Sequence, residues 1–341
     1  MAAVRKSLVL AVAGGSVVGI VVVAVLVWRL VLAGSSGGGR SDAECTVPAL
    51  PGPEVTVVVE GPMSSGAGAA GQAELGASAA PATTVLPAPS VELSAVALQN
   101  ASTINAVGWK LRRPERARII AVATAWQESR LRNLPNGDRD SVGLFQQRPS
   151  QGWGTAARIA DPVYASGRFY DALSKVSGWE QMSLTRAAQE VQYSGFPDAY
   201  AQWEPQATTL VRALDGATPL ELACRSGAIA PTAPTPARPA LPGSDRLAGG
   251  LRTLLAGAGA ELGGISKVSG SGGTATATIA LPGIPTEAAG RVLAAWLVAH
   301  ATGSGVGTVA VADRQYADHA WAPVTDGGGA LPAGQVRITA G

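Results

Sequence analysis

A long uncharged apolar segment near the N-terminus limits where the rest of the chain can fold. From Ser7 to Trp28 no residue is charged, and Arg5 and Lys6 stand just before the segment. A helix of this length, rising about 1.5 Å per residue, crosses a hydrocarbon core of about 30 Å. Because the basic pair flanks its N-terminal side, the pattern predicts a cytoplasmic N-terminus and an extracytoplasmic C-terminus.

A cleaved signal peptide is the alternative interpretation of this segment, since the residues from Val31 to Ala33 are small enough for a processing site. The apolar segment is longer than the roughly 7–15 residues of a signal peptide, which favours an uncleaved anchor. We therefore expect a single-pass plasma-membrane protein that contacts the lipid bilayer through one span.

Glycine and proline, at 43 and 23 of 341 residues, divide the remaining chain into segments. Most aromatic residues, including all three phenylalanines, lie between Leu98 and Leu214, where the main core is expected. Residues 61–90 carry one charge and no periodicity, which predicts a segment without regular structure. The predicted domains are an anchor at 1–33, an extracytoplasmic linker with a short strand at 34–93, a helical domain at 94–225, a proline-rich linker at 226–243 and a small α+β module at 244–341.

The predicted fold class is mainly α, with the single transmembrane helix preceding an all-α domain. Apolar periodicity and capping residues predict helices at 94–112, 114–131, 163–173, 184–192 and 200–214. The module after the proline-rich linker differs, because alternation predicts strands at 274–281, 306–312 and 336–339, with a helix at 286–300 between the first two.

Cysteine, histidine and charge counts exclude several classes of function. The net charge of +2 is too small for a nucleic-acid-binding surface, so no nucleic-acid partner is predicted. Cys45 and Cys224 are the two cysteines, and in an oxidising compartment they are expected to form a disulfide, two unrelated thiols being the alternative. His300 and His319 have no cysteine near them, so we predict neither a metal site nor a cofactor.

Glu128 is the candidate catalytic residue. It lies at the end of a helix whose stretch from Ile119 to Trp126 is apolar on almost every face, so that helix is predicted to be buried. Burial and the negative end of the helix dipole both favour a protonated carboxyl group. Such a group is what a general acid in glycoside cleavage requires, whereas a solvated glutamate in the last helical turn is the alternative.

Four motifs in order resemble the lysozyme-like superfamily, especially soluble lytic transglycosylases and goose-type lysozymes. In that family a Glu-Ser pair ends a buried helix, a Gly-Leu-Met-Gln segment follows about fifteen residues later, an Asp-Pro pair begins the next helix, and an Ala-Tyr-Asn-Ala-Gly segment closes the cleft. The corresponding segments here are Glu128-Ser129, Gly143-Leu144-Phe145-Gln146, Asp161-Pro162 and Gln192-Tyr193-Ser194-Gly195. The family's Tyr-Asn pair falls on Gln192-Tyr193. The resemblance covers 94–214 and extends to membrane-anchored actinobacterial proteins that carry this region.

The resemblance implies a general acid/base mechanism for Glu128 on the β-1,4 bond between N-acetylmuramic acid and N-acetylglucosamine. Asp138, or Asp140 two residues later, would be the second carboxylate that positions water, and turn formation is the alternative role for both. Either water or the muramic 6-hydroxyl can then attack, and the sequence leaves this choice open. The candidate substrate-binding residues are Ser129, Gln146, Gln147, Trp153 and Tyr193.

Two classes of function follow from these residues. The first is a membrane-anchored, peptidoglycan-cleaving glycosidase with glycan strands as substrate. The second is a catalytically inactive peptidoglycan-binding or envelope-assembly protein, which presents its C-terminal module to a protein partner. A spacer that carries the C-terminal module is a third interpretation.

Overall fold

The computed structural model describes residues 44–49, 55–59, 82–86, 89–217, 220–225, 238–302, 304–324 and 329–341. All of them belong to the unit Asp42–Gly341. The described residues form eight α-helices: α1 Ala95–Lys110, α2 Glu115–Ser129, α3 Ala156–Ile159, α4 Pro162–Leu173, α5 Leu184–Gln192, α6 Glu204–Leu214, α7 Gly249–Glu261 and α8 Thr286–Ala299. Short 3₁₀ segments lie at Pro149–Gln151, Trp179–Gln181 and Pro197–Trp203.

Capping side chains set the starts of several helices. Ser94 accepts a hydrogen bond from the Ala97 amide at the start of α1, and Asp161 accepts one from Val163 at the start of α4. Ser183 does the same for α5. These side chains satisfy amides that have no partner within the helix. The predicted bounds of α1, α4 and α5 are therefore confirmed to within two residues.

The strands of the described residues form three sheets. They are β1 Glu44–Val47, β2 Val55–Val59, β3 Ala82–Leu86, β4 Val91–Ser94, β5 Ala223–Cys224, β6 Ile265–Ser271, β7 Thr274–Ile279, β8 Val306–Val311, β9 Arg314–Ala317, β10 Ala320–Pro323 and β11 Gln335–Ala340. One sheet has the order β4-β1-β5, a second β10-β9-β8-β11-β7-β6, and β2 pairs with β3. All neighbouring strands are antiparallel.

Helix α8 connects the six-stranded sheet to the helical region. Helix α8 contacts strands β7, β8 and β11 and also helix α1, so it lies between the sheet and the helical region. Ten of its fourteen residues are buried, as expected for a helix that is covered on both sides. The C-terminal module is therefore packed directly on the helical region.

Helix α2 is buried along most of its length, as its sequence predicts. Every residue from Ala117 to Ala125 is buried, and Arg118 within this stretch is only 4% exposed. Its guanidinium pairs with the Asp215 carboxylate just after α6, and that carboxylate also accepts hydrogen bonds from Asn105 and Trp109 of α1. A buried charge needs such partners. This network joins α1, α2 and the end of α6 near the N-terminal end of α2, opposite the end that carries Glu128.

The predicted disulfide is confirmed. Cys45 of β1 lies directly opposite Cys224 of β5 in the antiparallel pair, and the two are bonded. The bridge spans 179 residues, and closing such a loop contributes about 5 kcal/mol in the chain-entropy model. Tyr316 of β9 holds the Cys224 backbone by accepting from its amide and donating to its carbonyl. The disulfide thus ties the start of the described chain to β5, and the Tyr316 hydrogen bonds connect β5 to the C-terminal module.

The predicted fold class, mainly α, is wrong. The described residues form a mixed α/β protein in which a six-stranded and a three-stranded antiparallel sheet accompany the helices. Strand β6 has serine, lysine and glycine at its exposed positions and Val268 as its one buried residue, so it lacks a clear alternation of apolar residues. Residues 82–86, predicted to have no regular structure, form β3, and β4 precedes α1 within the predicted linker.

The predicted location in the plasma membrane also needs correction. Among the residues that the structure describes, no helix combines the length and the apolar character needed to cross a bilayer. This finding overturns the prediction of a single-pass protein with one transmembrane helix. The segment on which that prediction rested, 7–28, lies outside the described residues, as do 226–237 of the predicted proline-rich linker.

Candidate functional site

Glu128 lies in the last turn of α2, immediately before a tightly held reversal of the chain. Arg130 and Leu131 both have left-handed backbone conformations, with φ of 57°. The Leu131 side chain is fully buried, and its carbonyl accepts a hydrogen bond of 2.7 Å from the Asn100 amide of α1. Non-glycine residues keep such a conformation only when their surroundings fix it. The end of α2 is therefore rigidly positioned.

The Glu128 carboxyl group is partly buried and receives two hydrogen bonds from other parts of the fold. The Tyr200 hydroxyl donates to Oε1 at 2.7 Å, and the Gln192 side-chain amide is the second donor. Burial raises the pKa of Glu128 above its usual value, and the hydrogen bonds from Tyr200 and Gln192 act in the opposite direction. Burial thus shifts Glu128 toward its protonated form, whereas the hydrogen bonds from Tyr200 and Gln192 stabilise its ionised form.

Tyr200 belongs to the candidate site, although it was not among the residues singled out from the sequence. It belongs to the 3₁₀ segment Pro197–Trp203, its side chain is fully buried, and it lies 72 residues after Glu128. Burial, followed by the neighbouring Glu128 carboxylate, raises the pKa of its phenol above the usual value, so the phenol stays protonated. The Ser194 hydroxyl also donates to Tyr200. The only sequence signal is a second tyrosine seven residues after Tyr193, in the segment that leads into α6.

Gln192 and Tyr193 end helix α5 and have different environments. The Gln192 amide donates to the Phe145 carbonyl at 2.8 Å and also reaches Glu128. Tyr193 has a left-handed backbone, with φ of 51°, and is 81% exposed. Gln192 therefore makes the contact with the candidate acid, and the phenol that supports this acid comes from Tyr200 rather than from Tyr193.

Three predicted substrate-binding residues instead hold the loop that follows α2. Ser129 is 3% exposed, and its hydroxyl donates to the Leu144 carbonyl at 2.8 Å, with the Ala125 carbonyl at 3.0 Å as the alternative acceptor. Gln147 is 2% exposed and donates to the Ala165 carbonyl of α4. Gln146 donates to the nearby Gly143 carbonyl. One side-chain amide proton of Gln146 and one of Gln147 are therefore donated within the protein.

The loop that these residues hold also depends on Gly143. Its φ is +80°, and a Cβ at this position would lie 2.9 Å from the Ile159 carbonyl oxygen. The Val142 and Gln147 backbones pair as an isolated antiparallel bridge on either side of it. A residue without a side chain is therefore required for the loop to approach α3 this closely.

The two candidates for a second carboxylate lie in an exposed turn. The Asp138 side chain is 92% exposed, and its nearest cation is Arg139 at 3.9 Å. Asp140 accepts hydrogen bonds from the Ser150 amide, the Arg148 guanidinium and the Ser150 hydroxyl, which hold its pKa well below the usual value. Asp140 thus stabilises the turn, which was the alternative role for this residue. Asp138 makes no contact that directs it toward Glu128.

A groove of about 770 Å³ opens between α4 and α5 beside this site. Three residues singled out above line it, namely Trp153, Gln192 and Tyr193. Glu128 is not among the described residues that line the groove. Gln192 connects Glu128 to the groove, because Gln192 lines the groove and its side-chain amide also donates to Glu128. The volume is within the range of sites that bind small molecules or short chains.

Aromatic stacking fixes the outer side of the end of α2. The Trp126 and Trp203 rings are stacked with centroids 5.4 Å apart, and the Arg130 guanidinium lies 4.3 Å from the centre of the Trp203 ring. The Trp203 indole also donates to the Gln127 side chain at 2.8 Å. These contacts flank Glu128 on both sides in the sequence, so the position of its backbone is held by packing as well as by hydrogen bonds.

The comparisons with known proteins add no family to this description. The chain matches no protein-family model, and no curated protein is significantly similar to it. Within the described ranges, no three histidine, cysteine or carboxylate side chains are grouped so that they could hold a metal ion. The geometry around Glu128 is therefore the basis for assigning a function.

Proposed function

We propose that this protein cleaves peptidoglycan glycan strands as a lytic transglycosylase, with Glu128 as general acid and then general base. The observation that carries the proposal is the Glu128 carboxyl group, whose pKa burial raises while Tyr200 and Gln192 donate to it beside a groove. The order of motifs that resembles the lysozyme-like superfamily supports the same substrate. The buried disulfide fits an oxidising compartment, as expected for an enzyme that acts on the cell wall.

In the first step, protonated Glu128 gives its proton to the glycosidic oxygen between N-acetylmuramic acid and N-acetylglucosamine. The bond from the muramic C1 to that oxygen breaks, the oxygen leaves as a hydroxyl, and positive charge develops on the muramic ring. Glu128 becomes an anion at this point. Tyr200 and Gln192 stabilise that anion, because donors already in place need no rearrangement when the charge appears.

In the second step, ionised Glu128 removes the proton of the muramic 6-hydroxyl, whose oxygen attacks C1 and closes a 1,6-anhydro ring. The proton that was given away is thereby recovered, and no water is consumed. Hydrolysis would need a second group to position water. Asp140 is engaged by Arg148 and Ser150, and Asp138 is exposed, which favours the intramolecular route.

The experiment is to incubate the full-length protein with purified peptidoglycan and to measure the released fragments by mass spectrometry. We expect anhydro-muramyl ends, which are lighter than reducing ends by one water. Glu128→Gln should lower the rate by ~10³-fold, because general acid catalysis contributes about 10²–10⁴-fold. Glu221→Gln is the matched control, since Glu221 is exposed.

The products also separate the competing functions. Reducing ends in place of anhydro ends would show a hydrolase and would overturn the intramolecular step. Identical fragment profiles from wild type and Glu128→Gln would overturn the enzymatic proposal and leave peptidoglycan binding without cleavage as the function to test.

A further inference from the structure

The groove beside Glu128 carries charges of both signs, which neutral sugars do not require. Arg168 and Asp171 of α4 line it, together with Lys175 just after that helix and Glu190 in the last turn of α5. Apolar side chains cover other parts of the lining, namely those of Trp153, Val176, Met182 and Val191. This combination suits a short chain with charged ends and apolar segments better than it suits a sugar ring alone.

Two of these charged side chains have no partner among the residues that the structure describes, whereas Asp171 pairs with Arg113. The side chains of Lys175 and Glu190 form no hydrogen bond or ion pair with any residue that the structure describes. Arg168 Nε is buried and unpaired among the described atoms, and its Nη2 lies a long 3.4 Å from the Gly152 carbonyl. The buried Nε lies out of reach of a ligand, but the weakly engaged Nη2 can donate to a carboxylate in the groove.

We propose that this groove binds the peptide stem of peptidoglycan, with Arg168 and Lys175 pairing with stem carboxylates and Glu190 with its amino group. The stem is attached to muramic acid, the sugar whose C1 reacts, so a site for it must lie next to the catalytic acid. Gln192 provides this connection, because it lines the groove and donates to Glu128. This inference rests on the proposed function, since the stem is part of the same substrate.

The test compares glycan strands that keep their peptide stems with the same strands after an amidase has removed the stems. We expect wild type to have a kcat/KM about tenfold higher on the stem-bearing strands, which is the size of one or two charge-assisted hydrogen bonds. Lys175→Glu should bring the ratio of the two kcat/KM values close to one. Lys267→Glu is the control with the same charge change, since Lys267 is exposed on the distant strand β6.

Equal kcat/KM values of wild type on the two substrates, or equal ratios for Lys175→Glu and Lys267→Glu, would overturn the stem site while leaving the proposed function standing. If wild type cleaves neither substrate, the proposed function fails. Isothermal titration calorimetry then tests whether the groove binds the peptide stem. Free stem tetrapeptide is then titrated into Glu128→Gln with and without Lys175→Glu. Binding that Lys175→Glu abolishes supports the stem site, and absence of binding overturns it.

Discussion

Two glutamates that are withdrawn from solvent, the partly buried Glu128 at the end of α2 and the buried Glu261 at the end of α7, have similar local environments. Each accepts a hydrogen bond from an aromatic side chain, the Tyr200 hydroxyl at 2.7 Å in one case and the Trp296 indole at 2.9 Å in the other. Burial raises the pKa of both, that of Glu261 to about 7. A search for perturbed carboxyl groups alone would select both.

The two glutamates differ in what surrounds them. Glu261 lies between α1, α7 and α8, its side chain is 10% exposed, and the nearest ionisable group is His300 with its Nε2 at 3.9 Å. Thr103 also donates to Glu261, and the paired charges of Arg238 and Asp161 lie farther away. The groups around Glu261 are thus side chains of the protein itself, and the described groove does not adjoin it.

Glu128, in contrast, is linked through Gln192 to a groove that is large enough for a ligand. The comparison shows that a raised pKa identifies a group that holds its proton, and that adjoining space identifies one that can give the proton to a substrate. Glu261 meets the first condition, and we assign it to the packing of the C-terminal module on the helical region.

The largest expected effect is the difference in activity between Glu128→Gln and Glu261→Gln. We expect ~10³-fold loss of peptidoglycan cleavage for the first, because it removes the only group proposed to transfer a proton. The second should keep cleavage within about twofold of wild type, since Glu261 faces only protein groups. Initial rates of fragment release at one pH measure both variants. Comparable losses in the two variants would contradict the assignment of catalysis to Glu128 and of packing to Glu261.

Sequence patterns predicted those parts of this comparison that depend on local structure. The apolar stretch before Glu128 predicted a buried helix, and α2 is buried as expected. The alternation and capping in the C-terminal module predicted α8, which contacts Glu261 through Trp296, and strands β7, β8 and β11, but not α7, which carries Glu261. Both patterns depend on neighbours within one element, and that is why sequence reasoning could find them.

The partners of the two glutamates could not be predicted in the same way. Tyr200 approaches Glu128 from 72 residues away, and Trp296 approaches Glu261 from 35 residues away in another helix. Ser129 was expected to bind substrate because it adjoins Glu128, yet its hydroxyl faces the Leu144 carbonyl inside the protein. The packing of segments that are distant in the sequence decides which side of a residue is covered. The hydrophobic periodicity within one element does not predict this packing.

The second prediction concerns stability, and it uses the pairing of Glu261 with His300. Burial lowers the pKa of His300 to about 4, and its Nδ1 donates to the Trp296 carbonyl, so that Nε2 faces Glu261 as an acceptor. The folded state therefore favours a neutral glutamic acid beside a neutral histidine. In the unfolded chain both groups are charged between their usual pKa values of 4.5 and 6.5.

The signs of the two contributions are opposite. Because folding raises the pKa of Glu261 from 4.5 to about 7, its stabilising contribution is complete below 4.5 and is lost as pH rises through 7. Because folding lowers the pKa of His300 from 6.5 to about 4, its contribution is complete above 6.5 and is lost as pH falls through 4. Each contribution amounts to about 3 kcal/mol, and in wild type they offset one another between these limits.

Single substitutions should remove this compensation. Relative to wild type, the free energy of unfolding of Glu261→Gln should rise by about 3 kcal/mol between pH 4.5 and 7, and that of His300→Gln should fall by a similar amount between pH 4 and 6.5. Denaturant titrations at pH 4, 5, 6, 7 and 8 measure both differences. Slopes of the same sign, or no slopes, would mean that the pair is not held neutral in the folded protein.

A smaller effect is expected for Tyr200→Phe, which removes the stronger of the two donors to Glu128. The carboxylate formed in the first step loses a charge-assisted hydrogen bond, so kcat should fall about tenfold. The same loss raises the pKa of Glu128, because the donor favours the ionised form, and the alkaline limb of the pH–rate profile should move up by about one pH unit. Tyr316→Phe is the matched control, since it also removes a hydrogen bond of a buried phenol, to the Cys224 carbonyl, but lies in the C-terminal module. A profile that stays in place with a lower rate would assign Tyr200 to packing alone.

The smallest expected effect comes from Asp138→Asn and tests whether Glu128 acts without a second carboxylate. Asp138 is the only one of the two candidates whose side chain is free to turn, because Asp140 is held by Arg148 and Ser150. If the 6-hydroxyl attacks C1, no carboxylate is needed to position water, and the rate should change by less than about twofold with anhydro ends retained. Fragment masses and initial rates measure both quantities. A loss of 10²-fold or more, or a shift from reducing to anhydro ends in the variant, would show that Asp138 directs water in wild type. Catalysis would then need two carboxylates, Glu128 and Asp138.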